Sequence, residues 1–127
     1  MQSDLMQVWT MVDHMTFWDP SRVLRRVEGE LDRLVKYGVG PVPYSVLGPM
    51  VGLTDIRARE LGKLLGQILR DDHGAGKPLR SALVINKAKG RPGSQFFDLC
   101  RSLGYQVGAS EQDELDFWSQ ELVKLGL

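Results

Sequence analysis

The amino-acid sequence predicts a mainly helical α+β fold: a helix-turn-helix with a small β wing, flanked by N- and C-terminal helices. Three observations predict it. Apolar residues recur at helical spacing in segments bounded by capping or helix-breaking residues. Residues 79–86 (Leu-Arg-Ser-Ala-Leu-Val-Ile-Asn) end in a β-branched run and carry the one strong strand signal. A basic, turn-rich loop follows at 87–93. With 127 residues the chain has the length of one domain. Within it, 1–40 reads as a helical pair, 41–104 as a winged-helix-like core and 105–127 as a C-terminal helix.

Ser3 suits an N-cap, and Leu5, Val8, Trp9 and Val12 share one face of a first helix to about residue 15. Asp19-Pro20 restarts the chain, because Asp caps helices and Pro fits the first helical position. The second helix, 20–37, carries Val23, Val27, Leu31, Leu34 and Val35 on one face, with Gly38 as its C-cap. Arg22, Arg25, Arg26, Glu30 and Arg33 fall mostly on the other face. Gly-Pro-Val-Pro at 40–43 reads as an extended connector. A short helical turn at 44–47 ends at Gly48-Pro49, and Thr54 caps a helix over about 55–71 that buries Ile56, Leu61, Leu64, Leu65 and Ile68. Gly62 and Gly66, one turn apart on it, admit close backbone approach. Ser94 caps a helix through Phe96, Phe97, Leu99 and Cys100 that Gly104 stops, and 105–107 reads as a second short strand. Ser110 and Asp113 form a capping box opening a last helix, with Leu115, Trp118, Leu122 and Val123 inward.

Sixteen basic and sixteen acidic side chains exclude a bulk polycation that coats nucleic acid or membrane. One cysteine excludes a disulfide framework and a multi-cysteine zinc cage. No apolar run approaches the roughly 18 residues of a bilayer span, and the start lacks a basic n-region. The expectation is a cytoplasmic protein with no membrane partner and no cofactor. Charge is nevertheless uneven. Residues 56–101 hold ten cations against four anions, whereas 102–127 hold five acids against Lys124 and 1–55 seven acids against five cations. A basic segment between acidic flanks is the footprint of a phosphate-backbone binder. The plainer alternative is a solvated face whose cations pair with the acidic flanks in three dimensions.

Catalytic constellations are not evident. His14, His73 and Cys100 lack paired metal-ligand spacing, and Asp71-Asp72-His73-Gly74 reads as a helix end. Cys100 falls on the inner side of its helix, where a free thiol acts as a small hydrophobe. Gly74-Ala75-Gly76-Lys77 fails as a phosphate loop, with Asp71 at the first glycine position and Pro78 after the lysine. A metal-dependent nuclease wants an acid two places before a strand-end lysine, and Ile85 stands there before Lys87.

The order that remains is short helix, turn, longer helix, strand and basic loop. In such a layout the second helix faces a DNA groove and the wing contacts phosphates. Arg57, Arg59 and Lys63 are expected exposed on that helix, and Lys87, Lys89 and Arg91 sit on the wing loop. Tyr44-Ser45-Val46-Leu47, Arg59-Glu60-Leu61-Gly62-Lys63-Leu64-Leu65, the Pro-led strand and the Gly90 to Gly93 loop resemble the winged-helix DNA-binding domain of O6-alkylguanine-DNA alkyltransferases and alkyltransferase-like proteins. The resemblance covers about 41–104 and implies that Tyr44 and Arg59 lie at a flipped nucleotide. The family's reactive Pro-Cys-His-Arg has no counterpart: the strand reads Pro78-Leu79-Arg80-Ser81-Ala82. The expected function is therefore non-catalytic binding of double-stranded DNA.

A protein-interaction module (an inhibitor, immunity or accessory protein) is the alternative. Trp9, Phe17 and Trp18 cluster near the start and Phe96, Phe97, Tyr105, Phe117 and Trp118 toward the end. These aromatic segments either pack as core or form a partner or homodimer patch.

Overall fold

The computed structural model describes residues 19–54 and 57–127, so the helix expected at 3–15 lies outside the described residues. The fold is mainly helical, with one two-stranded parallel sheet. The Asp19 carboxylate accepts hydrogen bonds from the Ser21 and Arg22 amides. That contact satisfies donors left open at a helix start and contributes about 1 kcal/mol. Helix α1, Pro20–Tyr37, ends at Gly38, whose φ of 64° lets its amide reach the Leu34 and Val35 carbonyls. Val27, Leu31 and Leu34 form its buried stripe, while Arg25, Arg26 and Arg33 are exposed.

The connector at 40–43 enters a sheet. Strand β1, Val42–Pro43, pairs in parallel with β2, Val84–Ile85, matching Val42 to Val84 and Pro43 to Ile85. Proline is tolerated because each strand has one neighbour only among the described residues. A parallel pair needs a crossover. Helices α2, Tyr44–Met50, and α3, Ala58–Gly74, followed by a 3₁₀ turn at Arg80–Leu83, supply it.

Gly48 and Pro49 do not end α2 as the sequence predicts. Leu53 N–H donates to the Gly48 carbonyl at 2.8 Å and Gly52 N–H to that of Pro49 at 3.1 Å, folding the chain back to bury Val51 and Leu53. A Cβ on Gly48 would lie 2.9 Å from the Leu53 carbonyl oxygen, so this return requires glycine. Helix α3 starts at Ala58, with the Arg57 amide on the Thr54 carbonyl and no side-chain cap. It continues to Gly74, past the end expected at about 71, and buries Asp72.

Asp72 explains the main departure from expectation. Residues 79–86 form no long strand: Arg80–Leu83 wind into a 3₁₀ turn and only Val84–Ile85 extend. The Arg80 amide donates to Asp72 at 3.0 Å, and its guanidinium reaches the same carboxylate at 2.8 Å. The Ser81 hydroxyl donates to the Leu65 carbonyl, and the Ala82 carbonyl accepts from the Trp118 indole, both at 2.8 Å. These tertiary bonds, with Leu79, Ser81, Ala82, Leu83 and Val84 all buried, leave no solvent-facing alternation for a strand.

After β2 the chain makes a tight 86–91 turn. Asn86 N–H donates to the Arg91 carbonyl at 2.8 Å, and the Asn86 side-chain oxygen accepts from the Ala88 and Lys89 amides. One antiparallel bridge, Asn86 to Arg91, stands where the small β wing was expected. Helix α4, Ser94–Ser102, has Gly93 rather than Ser94 as N-cap. Residues 105–107 are irregular, not a strand, because the Tyr105 amide turns back to the Cys100 carbonyl. Helix α5, Glu111–Lys124, opens with the expected Ser110–Asp113 capping box. Its buried line is Phe117 and Glu121, so Val123, expected inward, is 68% exposed on another face. One core cluster joins residues of all five described helices, from Val27 to Leu125. Among the described residues no helix is long and apolar enough to cross a membrane.

Candidate nucleic-acid interface

Folding divides the cations of the basic segment. Three of them meet acids from elsewhere in the chain. Arg80 lies 2.8 Å from Asp72, 3.0 Å from Asp32 and 3.3 Å from Glu28. Burial opposes its charge, but hydrogen bonds and attraction from Asp72 and Asp32 outweigh burial and hold its pKa above the ordinary range. Arg101 bridges Asp98 on α4 and Glu114 on α5, at 3.1 and 2.7 Å, and bonds the Gly108 carbonyl. Arg91 lies 3.1 Å from Glu111 with its side chain only 19% exposed. That contact is an ion pair without hydrogen-bond alignment, since Arg91 Nη1 has no hydrogen-bond partner among the described residues. These three fasten the acidic flanks to the basic middle.

The others remain at the surface. Arg59, Lys63, Arg70, Lys77, Lys87 and Lys89 are exposed. Of these, only Lys63 makes an ion pair among the described residues, a 3.6 Å contact to Glu60 that leaves its side chain 75% exposed. Helical spacing puts Arg59, Lys63 and Arg70 on one side of α3. There α3, the 86–91 turn and the start of α4 surround a cavity of about 550 Å³. Lys63 and Arg70 line it from α3, Asn86 and Lys89 from the turn, and Ser94 and Gln95 from α4. Leu65, Leu69, Phe96 and Leu99 add apolar surface, and among the described residues no Asp or Glu lines it. Gly62 and Gly66 also border the space. A Cβ on either would meet only side-chain atoms, at 3.6 Å or beyond, so these glycines widen the cavity rather than bring backbones together.

Tyr44 is half-buried and lines this cavity together with a second, of about 350 Å³, between α2 and α3. Burial raises its phenol pKa, and a backbone hydrogen bond at Gly93 opposes the rise. Of the seven residues singled out from the sequence, Tyr44, Lys63 and Lys89 meet at the cavity, and Arg59 and Lys87 lie on the elements beside it. Arg57 is half-buried and engaged in a further interaction, and Arg91 is taken by Glu111.

No family model, curated protein or solved structure matches the chain.

Arg70, Asn86 and Gln95 line the cavity but were not singled out from the sequence. The 63/66/70 spacing marks Arg70 as a neighbour of Lys63 across Gly66. Nothing local marks Asn86 or Gln95, which the turn and α4 bring in. Cys100 is fully buried, and burial, then the Glu121 charge, push its thiol up to about 12 against the pull of Arg101. Such a thiol is a poor nucleophile. Phe96, Phe97 and Phe117 are buried, with Tyr105 and Trp118 packed against the same cluster, whereas Trp9, Phe17 and Trp18 lie outside the described residues.

Proposed function

We propose that the protein binds duplex DNA without catalysing a reaction, using the exposed side of α3 and the 86–91 turn. On this reading α2, the return at Gly52 and α3 form a helix-turn-helix, and the 86–91 turn serves as its small wing. The observation that carries it is the row of exposed cations Arg59, Lys63 and Arg70 along α3 beside Lys87 and Lys89 on the turn, around a concavity that no Asp or Glu lines among the described residues. The alkyltransferase-like resemblance over 41–104 points the same way, since it puts Tyr44 and Arg59 beside a displaced nucleotide.

Anisotropy titration of a labelled random-sequence duplex over a salt series tests the reading. If Arg59, Lys63, Arg70, Lys87 and Lys89 each neutralise a phosphate, log K falls with log salt at a slope of about −4.5. Arg59→Ala with Lys87→Ala then flattens the slope by about 1.8. Absence of binding at low salt, or an unchanged slope in the double variant, refutes it.

A protein-docking role is the second reading, favoured by Val46 and Met50, one turn apart on α2 and each 47% exposed. It requires concentration-dependent association in sedimentation that Val46→Ser with Met50→Ser abolishes.

A further inference from the structure

Duplex contact does not account for the concave shape of the space beside α3. Backbone phosphates lie on the convex outside of a duplex, each carrying one charge, and protruding side chains suffice to meet them. Here Lys63, Arg70 and Lys89 instead line one concave space of about 550 Å³ that no carboxylate enters among the described residues. That volume lies within the roughly 300–1,000 Å³ of small-molecule pockets. A phosphate monoester carries about −1.5 to −2 charges near neutral pH, so it draws on several cations at once where a diester needs about one. The remaining walls suit what such a phosphate is attached to. Leu65, Leu69, Phe96 and Leu99 offer an apolar surface, and Asn86 and Gln95 can direct polar edges.

We infer that this cavity is a binding site for a small phosphate monoester carried on an apolar or aromatic body, held by Lys63, Arg70 and Lys89. Two sources present that chemistry: a free nucleoside monophosphate, and the 5′-phosphorylated end of a nucleic-acid strand. The inference goes beyond duplex contact and does not require it. Arg70 and Lys89 are its most specific residues, because both line the cavity and neither makes an ion pair among the described residues.

Calorimetric titration of the 127-residue chain with dAMP, 3′,5′-cyclic AMP and deoxyadenosine tests it. The expected order is dAMP tightest, with the cyclic diester and the uncharged nucleoside each at least tenfold weaker. Inorganic phosphate should compete with dAMP. Binding should strengthen from pH 5 to 7 as the monoester gains its second charge near pH 6. Arg70→Gln should weaken dAMP at least tenfold, while Lys77→Gln, an exposed cation that does not line the cavity, should leave it unchanged. Lys89→Gln repeats the test if Arg70→Gln fails to fold. Equal affinity for dAMP and deoxyadenosine, or equal losses from Lys77→Gln and Arg70→Gln, overturns the inference. Stronger displacement of dAMP by a 5′-phosphorylated duplex than by its 5′-hydroxyl twin identifies the strand end as the source; equal displacement by the two, or displacement by neither, identifies the free nucleotide. A protein that binds dAMP but no duplex retains the cavity site and loses the duplex reading. One that binds duplex but not dAMP does the reverse.

Discussion

Replacing Asp72 by Asn probes the contact that turns a strand-like sequence into a 3₁₀ turn. Asp72 is 1% exposed and accepts from the Arg80 amide at 3.0 Å, from Nε at 3.1 Å and from Nη2 at 2.8 Å. The Arg80 side chain is 17% exposed, so Asp72→Asn leaves a largely desolvated guanidinium with an uncharged amide oxygen and two outer carboxylates, Glu28 and Asp32, at 32% and 62% exposure. Removing one member of a buried pair costs about 3–5 kcal/mol, and the two outer carboxylates place the expected loss at the low end, about 3 kcal/mol. In a chain of this size that is a fall in Tm of about 10 °C. Urea unfolding followed by circular dichroism measures it, with Asp32→Asn as the control. Because Asp32 is mostly exposed, its replacement should cost less than about 1 kcal/mol. An Asp72→Asn protein within 1 kcal/mol of wild type, or an equal loss from Asp32→Asn, refutes the account. Duplex affinity should fall with Asp72→Asn as well, since the Arg80–Leu83 turn leads directly into β2 and the loop that carries Lys87 and Lys89.

Three further outcomes are expected. Cys100, with its thiol pushed up to about 12 by burial and the Glu121 charge, should resist a thiol reagent at pH 8 until urea unfolds the protein; rapid stoichiometric labelling of the native state contradicts this. Gly48→Ala should destabilise by about 1–3 kcal/mol because its Cβ meets the Leu53 carbonyl oxygen at 2.9 Å. Gly29→Ala, in α1 with nothing within 4 Å, should stabilise by about 0.5–1 kcal/mol, and thermal melts that reverse the two signs overturn the assignment. Hydrogen bonds from Ser110 hold the Asp113 carboxyl below its usual 3.8, so its stabilising contribution is present above that pH and lost as pH falls through the lower folded value. Wild type should therefore lose its advantage over Asp113→Asn below pH 3.8; a difference constant from pH 7 to 2 rules the capping carboxylate out.

Much of the helical framework was legible because its determinants are neighbours in the chain. Asp19 with Pro20, Gly38, and Ser110 with Asp113 act within one turn of themselves, and the Val27–Leu31–Leu34 stripe follows from helical geometry. What misled lay in longer contacts. The β-branched residues 84 and 85 do extend, but the four before them answer to Asp72, Leu65 and Trp118, which are 8, 16 and 36 residues away from their partners. Val42 and Pro43 gave no strand signal, because their pairing partner stands beyond two helices.

Arg91 shows the same division at the candidate site. From sequence it is indistinguishable from Lys87 and Lys89 on the same loop; in the fold it faces Glu111 while they stay exposed. The amino-acid sequence alone determined most of the described helices, the caps at Asp19, Gly38 and Ser110, and the excess of positive charge in the middle of the chain, all of which arise from residues a few positions apart. The tertiary structure decided which cations are neutralised by the acidic flanks, which gather around a cavity, and which strand-forming segment winds instead. Coulomb attraction and burial act over distance in space, and the spacing of residues along the chain does not encode that distance.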